Sequence, residues 1–169
     1  MPFVLIVVLL GIVIGIIIGY LGRNADVSAD FRIEEGHKEF VYLLRHARRS
    51  VCIATDFDRR FFTDPLIIEA IREAAEAGVE IRILYEGRRD KVPKEYRELK
   101  REGRIKIRYA EKLPRHVMVV DNLHVRIERP HPVDKFGETK GDIGIVFKAF
   151  PMLAESQRKW FDELWRRSS

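Results

Sequence analysis

The chain divides into an uncharged N-terminal stretch and a longer part in which apolar and charged positions alternate. Residues 3–21 contain no charged side chain and consist mainly of Ile, Val and Leu. As a helix rising about 1.5 Å per residue, this stretch would be roughly 28 Å long, close to the ~30 Å hydrocarbon core of a bilayer. A cleaved signal peptide would need a basic N-terminal region, and a buried core helix rarely lacks a polar face. We therefore predict one transmembrane anchor over residues 3–21.

Three glycines of this anchor fall on one helix face. Gly11, Gly15 and Gly19 are spaced four residues apart, so they would line up along the helix. Small residues in such a row let a second helix approach closely, although glycine is also common in transmembrane helices without this role. The spacing predicts a dimer face, with chance as the alternative.

Charges that flank the anchor predict its orientation. Arg23, Arg32 and Lys38 follow it, whereas no charged side chain precedes it. By the positive-inside rule, the rest of the chain is expected in the cytoplasm. The single cysteine, Cys52, fits a reducing compartment because it has no partner for an internal disulfide. We predict a single-pass membrane protein with a cytoplasmic domain.

The remaining residues are expected to form a short tether and one domain. Residues 22–30 are small and polar and are assigned as the tether, and residues 31–169 as the domain. Helical periodicity predicts helices over residues 34–48, 65–77, 93–101 and 151–166, with Asp64 as an N-cap before Pro65. Apolar runs between them predict strands over residues 51–55, 79–85 and 104–109.

The pattern changes after the third strand. Residues 115–120 and 123–128 are two extended runs joined at Asp121-Asn122, which is typical of a hairpin, and a further strand is expected over residues 143–148. Strands separated by helices imply parallel pairing, whereas a hairpin is antiparallel. We predict an α/β class with a mixed, largely parallel sheet flanked by helices.

Two phrases carry a resemblance to a known family. They are the run from Ala74 through Gly78 to Leu84 and, above all, Arg115-His116-Val117-Met118-Val119-Val120-Asp121. With the closing strand and helix, they resemble one half of the phospholipase D superfamily over most of residues 31–169. The resemblance implies that fold, and it implies a homodimer because members with a single half typically build one site at a dimer interface.

The family's reaction depends on a His-x-Lys-x4-Asp motif, which is incomplete in this chain. In the family, the His attacks phosphorus, the Lys holds phosphate oxygens and the Asp lies near the strand end. Asp121 fits the Asp position, whereas His116 falls at the Lys position and Pro114 at the nucleophile position. Glu128 and Arg129 replace the small residues expected after the hairpin. The resemblance keeps a carboxylate at Asp142, and His116 and Asp121 are the candidate catalytic residues.

A group of imidazoles and carboxylates surrounds the hairpin. It consists of His116, His124, Glu128, His131 and Asp134. Such groups bind zinc, but the spacing matches no standard ligand pattern and Arg126 would repel a cation. We favour a polar surface over a metal site, and no cofactor is expected. The same strand face suits an anion, with Arg126 and His124 as candidate phosphate-binding residues and Glu128 as a supporting carboxylate.

Positive charge is concentrated in one segment. Residues 86–115 carry twelve Lys or Arg against six Asp or Glu, a net charge of +6 that exceeds the +5 of the whole chain. Arg108 and Arg115 in this segment are further candidate phosphate-binding residues. Near a bilayer, such charge suits anionic lipid headgroups, and nucleic acid is the other polyanion it fits. The abundance of Arg, Glu and Lys also resembles the surface of a thermophile's protein.

Three function classes remain from the sequence. The first is a membrane-anchored module that binds a phosphate-bearing ligand, such as a lipid headgroup or nucleic acid, with little or no catalysis. The second is a homodimeric phosphodiesterase or nuclease that uses His116. The third is a structural or regulatory dimerisation module with a protein partner. The missing nucleophile–lysine pair favours the first.

Overall fold

The computed structural model describes residues 25–30, 33–87, 92–128 and 144–169. Within these ranges, no helix is both long and apolar enough to cross a bilayer. The predicted anchor at residues 3–21, with Gly11, Gly15 and Gly19, lies outside the described residues. The anchor, its orientation and its dimer face therefore stay predictions.

Seven described strands form one sheet. Their order across the sheet is β1-β7-β6-β5-β2-β3-β4. The bounds are Asp26–Asp30 for β1, Ser50–Thr55 for β2, Glu80–Tyr85 for β3, Ile105–Tyr109 for β4, His116–Val120 for β5, His124–Glu128 for β6 and Gly144–Lys148 for β7. The chain thus has the predicted α/β architecture with a mixed sheet.

The prediction of a largely parallel sheet is wrong. Among the described strands, only the β2–β3 and β3–β4 pairs are parallel. The β1–β7, β2–β5, β5–β6 and β6–β7 pairs are antiparallel. A parallel connection needs a long crossover, usually a helix, and among the described strands helices connect sheet neighbours only from β2 to β3 and from β3 to β4. Strands β5 and β6 form a hairpin, with Asp121 and Asn122 both at φ 54° in the predicted turn.

Five helices are described: α1 over Ile33–His46, α2 over Arg59–Phe62, α3 over Pro65–Glu76, α4 over Lys94–Arg101 and α5 over Pro151–Arg167. The predicted cap of α3 is confirmed, because the Asp64 carboxylate accepts a hydrogen bond from the Leu66 backbone N–H at 2.8 Å. Helix α2 was not predicted. Its four residues are too few for a helical period to show in the sequence.

Part of the expected tether belongs to the sheet. Residues 26–30 of the segment assigned as tether form strand β1, which pairs along its length with β7. The strand is polar and occupies the sheet edge, where pairing uses backbone groups and requires little apolar side-chain burial. The amino-acid composition of residues 26–30 therefore resembles that of a linker.

Two apolar cores lie on opposite faces of the sheet. One face packs against α1, α2, α3 and α4 through residues such as Phe40, Phe62 and Ile71. The other face packs against α5, chiefly through Phe161 and Trp165. Strand β5 lies between these cores, and each of its residues is buried. The candidate motif residues are therefore held in a rigid, three-layer frame.

Candidate functional site

His116 stands at the edge of the sheet where the parallel strands end. Strand β5 runs against β2, so its first residues face the last residues of β2, with Val117 opposite Ala54. Crevices in α/β proteins form beyond the carboxyl ends of parallel strands. His116, the first residue of β5, therefore lies at the sheet edge where this architecture places ligands.

Strand register brings His116, Arg126 and Glu128 to one face. His116 pairs with Glu128 across the β5–β6 ladder, and Met118 pairs with Arg126. Directly opposite residues in an antiparallel pair point to the same side of the sheet. This side is the one covered by α1 and α2. Three of the sequence-predicted site residues therefore do come together.

The imidazole of His116 is enclosed by other residues. Its side chain lies in a small cleft whose lining includes Thr55, Phe61 and Phe62, and only 3% of the residue is exposed. The Nε2 atom of His116 lies 3.9 Å from an Oε1 atom of Glu86. The other oxygen of Glu86 accepts the Leu113 backbone N–H at 2.5 Å, which fixes the carboxylate beside the ring. Sequence reasoning missed Glu86.

Arg126 is buried with its charge paired inside the domain. Only 4% of the residue is exposed, and its guanidinium forms an ion pair with Glu128. The guanidinium carbon also lies 5.5 Å from the centre of the Phe61 ring. Because a buried charge must be compensated, Glu128 does for Arg126 what a bound phosphate would otherwise do. The Glu128 carboxylate thus neutralises the cation of the site.

Two glycines make room for this arginine. A Cβ added at Gly144 would lie 2.7 Å from an Nη2 atom of Arg126, and one added at Gly36 would lie 2.8 Å from it. Glycine inside a helix costs about 1 kcal/mol relative to alanine, so Gly36 in α1 was a readable signal of a close approach. The sequence alone did not say which side chain approaches it.

The other candidate arginines face the opposite side of the sheet. The Nη1 of Arg108 donates to the backbone carbonyl of Trp165 at 2.7 Å, and its guanidinium lies 4.8 Å from the centre of a Trp165 ring. The guanidinium of Arg115 lies 4.6 Å from a ring centre of Trp160. Both arginines therefore contact α5, and the structure does not bring them to His116 or Arg126.

Asp121 and His124 lie at the far end of the hairpin from His116. The Asp121 carboxylate accepts backbone N–H groups of Arg48 and Arg49 at 2.7 Å each and of Ser50 at 2.9 Å. These bonds fasten the start of β2 to the turn. A strand residue rises about 3.3 Å, so the length of β5 separates this carboxylate from His116.

His124 is held as an acceptor. Its Nδ1 accepts the backbone N–H of Ala149 at 3.3 Å. Burial, above all, lowers the pKa of His124, and nearby Lys148 and His46 lower it further against the opposing effect of Asp121. The predicted part of His124 in anion binding stays a prediction.

The metal question concerns only part of the predicted cluster. His131, Asp134 and the supporting carboxylate Asp142 lie outside the described residues. Among the residues that the structure describes, no group of three His, Cys, Asp or Glu side chains is arranged to hold a metal ion.

Solved structures with a similar fold were found. Nuc from Salmonella typhimurium, a phospholipase D family member, is 21% identical with a TM-score of 0.66, over 86% of this chain and 97% of that chain. NucT from Helicobacter pylori is 15% identical with a TM-score of 0.66, over 85% and 98%. TrmBL2, described as an archaeal chromatin protein with a novel mode of DNA binding, is 18% identical with a TM-score of 0.66.

These matches differ in how much of the relative they cover. The match to TrmBL2 covers 85% of this chain but only 53% of that chain. No protein-family model matches this sequence, and no curated protein sequence matches it significantly. At these identities the likeness shows the fold. Over most of its length, the chain therefore has the α/β fold of phospholipase D family members.

Proposed function

We propose that this chain is a membrane-anchored module of the phospholipase D fold that binds a phosphate-bearing polyanion with weak or no catalysis. The observation that carries this proposal is the buried ion pair of Arg126 with Glu128 beside His116. Phosphoryl transfer depends on preorganised positive charge around the phosphate. Here the cation on the same sheet face as His116 is already paired, and the family resemblance puts Pro114 at the position of the nucleophile.

Exposed cations of the basic segment support the binding part. Arg97, Lys100, Arg101 and Lys112 are all exposed. In the described part of the chain, none of the four forms an ion pair, whereas Lys94, Arg104 and Lys106 each pair with a glutamate. Unpaired surface cations attract phosphate groups without reading sequence. TrmBL2, which is described as binding DNA, shares the fold.

Membrane attachment and assembly belong to the same proposal. The apolar residues 3–21 would hold the domain at the cytoplasmic face, and the glycine row would favour a homodimer. In that position, the basic segment would meet anionic headgroups as well as nucleic acid. A protein partner is the remaining candidate for the same surface.

A homodimeric phosphodiesterase or nuclease that uses His116 is the second candidate. The buried cleft at the sheet edge, with Glu86 3.9 Å from His116 Nε2, is suited to orient an imidazole. The likeness to Nuc and NucT supports this enzyme more than it supports a binding module. The two candidates therefore rest on different observations, and turnover distinguishes them.

The deciding experiment uses the full chain in zwitterionic nanodiscs. Hydrolysis of a generic aryl phosphodiester and of single- and double-stranded DNA is measured for the parent, for His116→Ala and for the matched control His46→Ala. His46 is an exposed histidine of α1. We expect negligible turnover in all three proteins, and polyanion binding that weakens steeply with salt and is equal in all three.

Other outcomes point elsewhere. Robust turnover that is lost in His116→Ala but retained in His46→Ala would overturn the binding module in favour of the enzyme. Absence of both turnover and salt-sensitive binding to DNA or to anionic nanodiscs would leave the structural or regulatory dimerisation module.

A further inference from the structure

A second cleft lies along the same edge of the sheet, between α4 and the ends of β3 and β4. Its volume is about 310 Å³, and its walls include Tyr85, Arg97, Lys100 and Tyr109. Tyr85 and Tyr109 are the last residues of their strands and stand opposite each other in the ladder. A cleft of this size at strand carboxyl ends is typical of a small-ligand site.

One wall of this cleft is cationic. Arg97 and Lys100 are three residues apart on α4, so they project from the same side of the helix. Both are exposed, and within the ranges that the structure describes neither is paired with a carboxylate. The neighbouring Lys94 instead pairs with Glu98 at 3.6 Å. Arg97 and Lys100 therefore both project toward the cleft.

The other wall is aromatic and apolar. The rings of Tyr85 and Tyr109 meet edge to face with their centres 5.6 Å apart. Tyr85 is 6% exposed and Tyr109 is half-buried, so ring surface of Tyr109 remains accessible. Ser169 fixes this end of β4, because its backbone carbonyl accepts the Tyr109 N–H at 2.7 Å. Val92 and Ile107 complete the apolar lining.

The structure changes how the aromatics of the basic segment are interpreted. From the sequence, Tyr96 and Tyr109 are its only aromatic residues, which argues against base stacking. In the structure, Tyr96 is fully buried, but β3 brings Tyr85, which precedes the segment, against Tyr109. An aromatic pair beside two cations therefore exists only in three dimensions.

This cleft is distinct from the His116 site but on the same edge. The two positions are separated by the strand order β5-β2-β3-β4. At about 4.8 Å per strand, the separation is roughly 10–15 Å. A ligand could occupy this cleft without contact with His116.

We propose that the cleft binds one unpaired nucleotide, with Arg97 and Lys100 on its phosphate and Tyr109 against its base. This inference rests on the proposed function, because it names the polyanion as single-stranded nucleic acid or a free nucleotide. A base in a duplex is already stacked and cannot enter, and a lipid headgroup has no planar ring to place against Tyr109. Aromatic stacking with a neighbouring cation is the usual means of holding unpaired bases.

The test is binding of a fluorescent ten-nucleotide single strand to the full chain in zwitterionic nanodiscs. Arg97→Gln with Lys100→Gln is compared with Arg48→Gln with Arg72→Gln, which removes the same charge from exposed sites outside the basic segment. We expect at least tenfold weaker binding for the first pair and less than threefold weaker binding for the control.

Tyr109→Leu is expected to weaken single-strand binding severalfold and to leave duplex binding unchanged. Circular dichroism and thermal unfolding verify that each variant is folded.

Competition distinguishes the sources of the nucleotide. A nucleoside monophosphate that displaces the strand at micromolar concentration supports a free nucleotide as ligand, whereas displacement only by longer single strands supports nucleic acid. Equal losses in the two double variants, equal affinity for duplex, or preferential displacement by a multiply phosphorylated inositol would overturn the inference while leaving polyanion binding intact. Absence of binding to every polyanion would overturn the proposed function as well.

Discussion

At the scale of single residues, Arg126 contacts side chains and backbone from four elements of the domain. Its guanidinium lies against the backbones of Gly36 and Gly144, contacts the Phe61 ring and is neutralised by Glu128. A charge buried to this degree is tolerated only when its partners are in place. These contacts join α1, α2, β6 and β7, so the residue that suits phosphate binding instead stabilises the domain.

Replacement of Gly144 by Ala tests this packing. The new methyl group would lie 2.7 Å from Nη2 and 2.9 Å from Cζ of Arg126. Since the guanidinium is enclosed, we expect the free energy of unfolding to fall by about 1–3 kcal/mol, measured by urea denaturation. In the background Arg126→Met with Glu128→Gln the clash is absent, and the same substitution should cost much less. An equal cost in both backgrounds would contradict the role given to Arg126.

His124 makes stability depend on pH. Burial lowers its pKa in the folded state below the ordinary value of 6.5, so the unfolded chain binds the proton more readily. Stability is therefore expected to fall as pH decreases from about 6.5 through the folded-state pKa, because protonation also removes the acceptor of the Ala149 N–H.

Thermal unfolding between pH 7.5 and pH 5 measures this effect. In His124→Gln, an amide oxygen can accept the same N–H without titrating, so the slope attributable to this site should disappear. An unchanged slope would assign the acid sensitivity to other groups.

At the scale of elements, helix α5 is attached to the sheet by arginines that lie on its aromatic rings. The guanidinium carbon of Arg82 lies 5.4 Å from the ring centres of both Phe161 and Trp165. The guanidinium carbon of Arg108 lies 4.8 Å from a ring centre of Trp165. Arg82 also donates to Asp162 at 2.7 Å. Cations over ring faces contribute about 0.5–2 kcal/mol each, depending on desolvation. These arginines therefore stabilise the second core.

Truncation of Trp165 to Ala should remove this attachment. The side chain is 9% exposed and contacts two guanidinium groups. We expect a loss of about 3–5 kcal/mol in unfolding free energy by chemical denaturation, and a clearly smaller loss for Trp165→Phe, which keeps a ring. If the two substitutions cost the same, the ring contacts of the arginines contribute little.

Strand β1 shows how the open edge of the sheet is protected. It begins at Asp26 and ends at Asp30, and its inner side pairs with β7. Antiparallel pairing of two β1 copies about Ser28 would place Asp26 of one opposite Asp30 of the other. Like charges directly opposite each other are destabilising, so this register is disfavoured.

At the scale of the whole molecule, the predicted anchor offers a surface for the expected dimer. Replacement of Gly15 by Leu would fill the row formed with Gly11 and Gly19 and should weaken self-association of the full chain in membranes severalfold. Energy transfer between labelled chains measures this association. Val13→Leu, about 200° around the predicted helix, is the matched control. Equal association of both variants would show that the glycines do not form the contact.

The sequence by itself was sufficient where the signal is local. The Asp64-Pro65 helix start, the Asp121-Asn122 turn and the succession of helices and strands follow from caps, turn residues and periodicity, which depend on neighbours along the chain. Strand β1 could not be predicted in this way, because a polar edge strand lacks an apolar period.

Tertiary structure decided which of these residues meet. Register placed His116, Arg126 and Glu128 on one face, whereas it directed Arg108 and Arg115 to α5 and left Asp121 to bind backbone groups. Pairing partners, burial and the glycine cradle of Arg126 all arise from residues distant in sequence. Composition gives the number of cations in the chain. Packing determines which cations pair with carboxylates or aromatic rings and which can bind a ligand.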